Sequence, residues 1–149
     1  MTAHEWVVDT QVLVVASSGD HLCLDAATLL RSILENHFVA LDHDNEIIAE
    51  YSRRVPAGSL AARWWAEMNR RGRFVYHSSR LSQRNRRRLE RVRFDPSDWK
   101  FVGVARRTLS RLLVAEESDY WEPSVAQCIQ NEVGISLLKV TAALERAQV

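Results

Sequence analysis

Residues 4–18 read HEWVVDTQVLVVASS, and their reading decides the fold. Trp6, Val7 and Val8 lead into Asp9, and Val12 to Ala16 lead out of it. The stretch EWVVD is apolar without strict alternation, which predicts a short strand buried on both faces, as in a parallel sheet. A buried, unpaired carboxylate is costly and prefers to be protonated. An aspartate where such a strand turns has two common uses. It caps the next helix through its side-chain oxygen, or it joins a cluster of acids that hold a metal.

Outward from this strand, the chain alternates two periodicities. DAATLLRSILEN carries apolar residues at helical spacing, and HFVAL reads as a second strand. DNEIIAEYSRRV is a helix capped by Asp42 or Asp44 and ended near Pro56. SLAARWWAEMNRRG is another, with Ser59 as cap and Gly72 as stop, followed by the strand RFVYHS. SQRNRRRLERV predicts a short, very basic helix, and DPSDWKFVGVARRT an apolar helix entered through Pro96 and Asp98. RLLVA is a fourth strand, EPSVAQCIQNEVG a helix ended by Gly134, ISLLKV a fifth strand, and TAALERAQ a frayed terminal helix. Strands alternating with helices imply crossover units. The expected architecture is a three-layer α/β/α sandwich with a mainly parallel sheet of about five strands, one domain over residues 1–149.

Composition is that of an ordinary globular chain, and no apolar run approaches the roughly 18 residues of a membrane span. The start, MTAHEW, lacks a basic region followed by an apolar stretch, so no signal peptide is expected. Cys23 and Cys128 are far apart in apolar contexts, which predicts two buried thiols and a reducing, cytoplasmic setting. The net charge of +1 hides a strong asymmetry. Residues 1–52 carry −8, residues 53–111 carry +13 and residues 112–149 carry −4. Eighteen of the twenty bases are arginine, whose planar fork suits phosphate.

In open parallel sheets ligands collect at the carboxyl ends of the strands. Asp9 ends the first strand, and Glu116, Glu117 and Asp119 follow the fourth. Glu46 and Glu50 share a helix face, and Asp98 precedes an apolar helix. Each acid has a plain structural reading: a cap for Asp98, solvated helix positions for Glu46 and Glu50, a turn for Asp119, a solvated loop charge for Glu116. Several of them at one sheet edge would repel one another unless a divalent cation lay between them. An oxygen-only ligand set favours magnesium or manganese over zinc.

Five segments, in order, resemble the motifs of PIN domains, a family of metal-dependent nucleases. VVDTQVL is similar to the family's opening V-D-T-N-V strand, and NEIIAEYSRR to the helix bearing its second acid. SDWKFVGVA resembles the D-x-x-(apolar)-x-x-x-A helix start, LLVAEESDYW the V-T-x-D-x-D-(aromatic) turn, and EVGISLLK the closing strand. The resemblance spans roughly residues 6 to 140. Gln11, Ala115 and Glu117 stand where the family usually has asparagine, threonine or serine, and aspartate. It implies Asp9, Glu50, Asp98 and Glu117 as catalytic acids. The same four, with Asp119 as the alternative fourth acid, would ligate one or two Mg2+ or Mn2+ ions, and Thr10 and Gln11 would support them.

The implied reaction is hydrolysis of phosphodiester bonds in RNA or another single-stranded nucleic acid. The resemblance also implies a toxin of a toxin–antitoxin pair of the VapC type, an antitoxin or other protein partner, and a homodimer. The alternative is a catalytically weak or inactive PIN-like domain that binds RNA or protein. An acidic pocket repels a polyanion, and the basic stretch RNRRRLERVR offers the attraction through Arg84, Arg86, Arg87, Arg88, Arg91 and Arg93. The plain reading of that stretch is a solvated helix or a docking face for an acidic partner. Trp64 and Trp65, being adjacent, are not expected to face one core together, which leaves one for base stacking or a dimer interface. Among the five histidines, His77 is the one placed for a role, after the third strand.

Overall fold

The computed structural model describes residues 2–148. Five strands, β1 (Glu5–Val8), β2 (Phe38–Asp42), β3 (Phe74–His77), β4 (Leu112–Val114) and β5 (Ser136–Leu138), form one sheet in the order β3-β2-β1-β4-β5. Every pairing is parallel, with Trp6 beside Val39 and Leu112, Val8 beside Val114, and Val114 beside Leu138. Trp6, Val7 and Val8 are fully buried at the centre, as an unbroken apolar run in a covered parallel sheet requires.

The helices are α1 (Thr10–Ala16), α2 (Cys23–Asn36), α3 (Glu46–Arg54), α4 (Leu60–Arg70), α5 (Gln83–Arg91), α6 (Trp99–Arg107), α7 (Pro123–Gln127) and α8 (Val140–Ala147). The helix α6 packs across β1, β2 and β4, while α2 gathers α1, α4 and α8 around it. The three-layer α/β/α arrangement expected from the alternating pattern is therefore present, with a sheet that is parallel throughout. Among the described residues no helix is long and apolar enough to cross a membrane.

Several local details differ from the sequence reading. The run after Asp9 is a helix, although valines dominate it; burial of Val12, Leu13, Val15 and Ala16 outweighs a propensity deficit of tenths of a kcal/mol per residue. The terminal helix α8 does not fray. His37 Nε2 donates to Ala147 O at 2.8 Å, His37 Nδ1 accepts from His4 N at 3.0 Å, and Ser32 Oγ donates to the same Ala147 carbonyl. Burial holds the His37 pKa down, which keeps this ring neutral for both roles. Helix α7 continues as a π-helical turn over Cys128–Val133 and stops at Gly134, in the left-handed region at φ 86°.

Both tryptophans of α4 pack inward. Trp64 is buried against α2 and donates from Nε1 to Leu30 O, and half-buried Trp65 stacks on Tyr51 of α3 at 5.9 Å. Neither is free for a base, because α4 lies in a corner between two helices. Of the cysteines, Cys128 is buried and Cys23 only half-buried; both are free thiols. Asp42, and not exposed Asp44, caps α3 by accepting from Glu46 N and Ile47 N, each at 2.9 Å.

Candidate metal centre

The strand order makes the site. From β1 the chain steps to β2 and β3 on one side, then crosses to β4 and β5 on the other. Between β1 and β4 the connections leave in opposite directions, and such a switch point opens a crevice at the carboxyl ends. Asp9 follows β1 directly and Glu117 follows β4, with Asp9 N donating to Val114 O across the pair at 2.9 Å. Asp98 enters from a 3-10 turn, Pro96–Asp98, which runs into α6. One carboxylate oxygen from each of Asp9, Asp98 and Glu117 lies within 4.8 Å of the other two.

Asp9 is fully buried. It is a cap and a cluster member at once: one carboxylate oxygen accepts from Gln11 N at 3.2 Å, the other from Tyr120 OH at 3.1 Å. Burial, and then repulsion from Asp98 and Glu117, outweigh these two donors and push its pKa up to about 7. Asp98 is buried too, and its side chain caps nothing; Asp95 takes that work by accepting from Ser97 N. Burial, then repulsion from Glu117 and Glu50, carry the Asp98 pKa to about 7 against the opposing pull of Lys100.

The other expected residues fall around this centre in different ways. Glu50 is buried beside the three acids but not within their 4.8 Å group. Its carboxylate receives Thr10 Oγ1 and Lys100 Nζ, the latter at 2.9 Å, with Arg53 at 4.0 Å. Thr10 thus donates to Glu50, whereas the Gln11 amide turns outward to Arg54. Asp119 is exposed and stands apart from the cluster, which leaves Glu117 as the converging acid of that turn. Glu116 is not merely solvated: it accepts from Val140 N at 2.7 Å, at the start of α8. Glu46 is exposed. His77 is engaged by Glu5 through Nε2 at 2.5 Å, away from the acids.

Two residues near the acids were not singled out from the sequence. Lys100 follows Asp98 by two positions and reaches back to Glu50. Tyr120 is fully buried and its hydroxyl points at Asp9; burial and the surrounding acids raise its pKa well above the usual value, so it stays a donor. A phenol inside an acidic turn was the one available signal for it.

The basic segment divides. Arg88 donates to Asn85 Oδ1 and Glu132 O, and Arg91 grips both Glu132 carboxylate oxygens at 2.7 and 2.6 Å. These two bind α5 to the π-helical turn. Arg84, Arg86, Arg87 and Arg93 are exposed.

The three converging acids suit a hard divalent cation. All donors are oxygen, burial and mutual repulsion raise the pKa of two of them to about 7, and no lysine or arginine pairs with Asp9 or Glu117 among the described residues. In comparisons with known proteins the chain matches no family model, no curated protein and no solved structure.

Proposed function

We propose that this chain is a PIN-like nuclease that hydrolyses phosphodiester bonds of RNA or another single-stranded nucleic acid with the help of Mg2+ or Mn2+. The observation that carries the reading is the meeting of Asp9, Asp98 and Glu117 at the switch point of a parallel sheet. A divalent cation held by these three would supply Lewis acidity toward a phosphoryl oxygen and toward water. The chain's own contribution is orientation and charge. Gln11 N and Tyr120 OH fix the Asp9 carboxylate, so a ligand is presented in one rotamer. Thr10 and Lys100 fix Glu50 beside Asp98. Lys100 also brings one positive charge to the edge of the acids, where a phosphate oxygen would otherwise meet only repulsion. An antitoxin and a second copy of the chain are the protein partners this reading brings with it.

One observation favours a second reading, a PIN-like module that binds RNA or protein without cutting. Glu50, the acid assigned to the second motif, is already satisfied by Lys100 and Thr10. Incubation of labelled single-stranded RNA with manganese, magnesium or chelator separates the two. The nuclease reading expects cleavage with either metal, none with chelator, and background levels from Asp98→Asn. Cleavage that survives chelation and the Asp98 change would refute it.

A further inference from the structure

Next to the acids lies a cleft of about 590 Å³, walled by α3, the loop after β3, the start of α5 and the turn into α6. That volume is within the roughly 300–1,000 Å³ of small-ligand clefts. Four cations line it, from four separate segments: Arg53, Arg80, Arg86 and Lys100. Glu50 forms part of the wall and repels Asp98, so the cleft and the acid cluster are neighbours. Lys100 and Arg53 are partly neutralised by Glu50. Arg80 and Arg86 are exposed and form no ion pair among the described residues.

The backbone brings Arg80 here by a specific device. Gly103 of α6 packs so tightly on the loop after β3 that a Cβ would sit 1.9 Å from Ser79 O. The loop is pressed onto α6 where no side chain intervenes, and Arg107 Nη2 clasps Arg80 O at 3.2 Å. Arg86 arrives from α5, whose position Arg88 and Arg91 fix through Glu132. Two arginines of the basic helix thus hold it in place, and a third reaches the cleft.

We propose that this cleft is the seat of the nucleic-acid backbone: Arg80 and Arg86 bind phosphates of single-stranded RNA that flank the acids. The proposal rests on the nuclease reading for its ligand, yet it concerns binding and not cleavage. Guanidinium groups bind phosphate oxygens bidentately, and a polyphosphodiester places one such charge at every nucleotide, so that neighbouring phosphates can meet Arg80 and Arg86 in turn. Half-buried Trp99, pinned by its Nε1 to Phe94 O, also lines the cleft and gives an unpaired base an aromatic neighbour.

The test compares two double variants of equal charge change. Arg80→Glu/Arg86→Glu alters the cleft; Arg84→Glu/Arg87→Glu alters the same helix outside it. Binding of a fluorescein-labelled single-stranded RNA is measured by anisotropy in chelator, so that no cleavage intervenes, across a salt series. The cleft pair should weaken binding at least tenfold and reduce the salt slope by about 1 to 2, while the outer pair stays within about threefold. Arg80→Gln/Arg86→Gln, a milder change at exposed positions, should follow the cleft pair in direction. Equal losses from both Glu pairs, or no measurable binding by the wild type, would overturn the proposal. Cleavage with manganese is scored separately: binding without cleavage leaves the cleft standing and removes the nuclease reading.

Discussion

Replacing Asp9 by Asn should stabilise the metal-free protein at pH 8 and leave it nearly unchanged at pH 5. Asp9 is fully buried and its pKa rises from 3.8 to about 7 on folding. A group whose folded pKa is raised binds its proton more tightly in the folded state. Its stabilising effect is complete below about pH 4 and disappears as the pH climbs through about 7. Three pH units of displacement correspond to about 4 kcal/mol between those limits. Asp98 shares the same repulsion, so the two penalties do not add. Asn removes the charge and keeps one acceptor for Gln11 N or Tyr120 OH, at the expense of about 1 kcal/mol for the other bond. The net gain at pH 8 is about 2–3 kcal/mol, or a Tm increase of about 5–10 °C for a chain of this size. Thermal unfolding at pH 5 and pH 8 in chelator, then with manganese, measures it. The manganese-induced shift should shrink in the variant, since a ligand that binds only the folded state stabilises it by mass action. A loss of about 1 kcal/mol or more at pH 8, with the manganese shift intact, would show that Asp9 serves only as the cap of α1.

Two further outcomes follow from the geometry. Glu117→Ala should diminish the manganese-induced rise in Tm while Asp119→Ala leaves it in place, because only Glu117 joins the cluster; the opposite ranking would reassign the fourth acid. Gly103→Ala drives a methyl into the Ser79 carbonyl, so despite a helix-propensity gain near 1 kcal/mol it should destabilise the fold by about 1–3 kcal/mol. Urea unfolding reads this directly, and a variant more stable than wild type would mean that the loop moves freely and does not fix Arg80.

The sheet was legible because its strands are short apolar runs bounded by Gly, Pro and polar clusters, and because helices intervene each time. The order of those strands was not written in any periodicity; it depends on which apolar faces meet, and it is the order that creates the switch point between β1 and β4. The run that forms α1 was left unassigned, because VLVV has low helix propensity and the burial of Val12, Leu13, Val15 and Ala16 that favours the helix is not written in the sequence. The inward packing of Trp65 was missed for a related reason. A helix set between two others has two buried faces, and a one-face rule fails there.

Strand ends and helix starts mark sheet edges, which put Asp9, Asp98 and Glu117 among several candidate acids; the resemblance to PIN motifs implied those three together with Glu50. What the sequence could not separate was a charge that acts on the site from one that holds the frame. Arg88 and Arg91 look like Arg86 in RNRRRLERVR, yet the first two are absorbed by Glu132, 44 and 41 residues away along the chain. Lys100 looks like a solvated helix residue, yet it is the cation that meets Glu50. The acidic flanks and the basic middle fold so that the flanks supply Asp9 and Glu117 from β1 and β4, while the middle supplies Arg53, Arg80, Arg86 and Lys100 to the adjoining cleft. The middle also supplies Asp98, so the two charge fields are joined at α6. Burial and then mutual repulsion raise the pKa values of Asp9 and Asp98 to about 7, and a cation entering among the acids would offset both by favouring the charged forms. The same step would leave the cleft's positive field unopposed by them, so metal and polyanion should each favour the binding of the other.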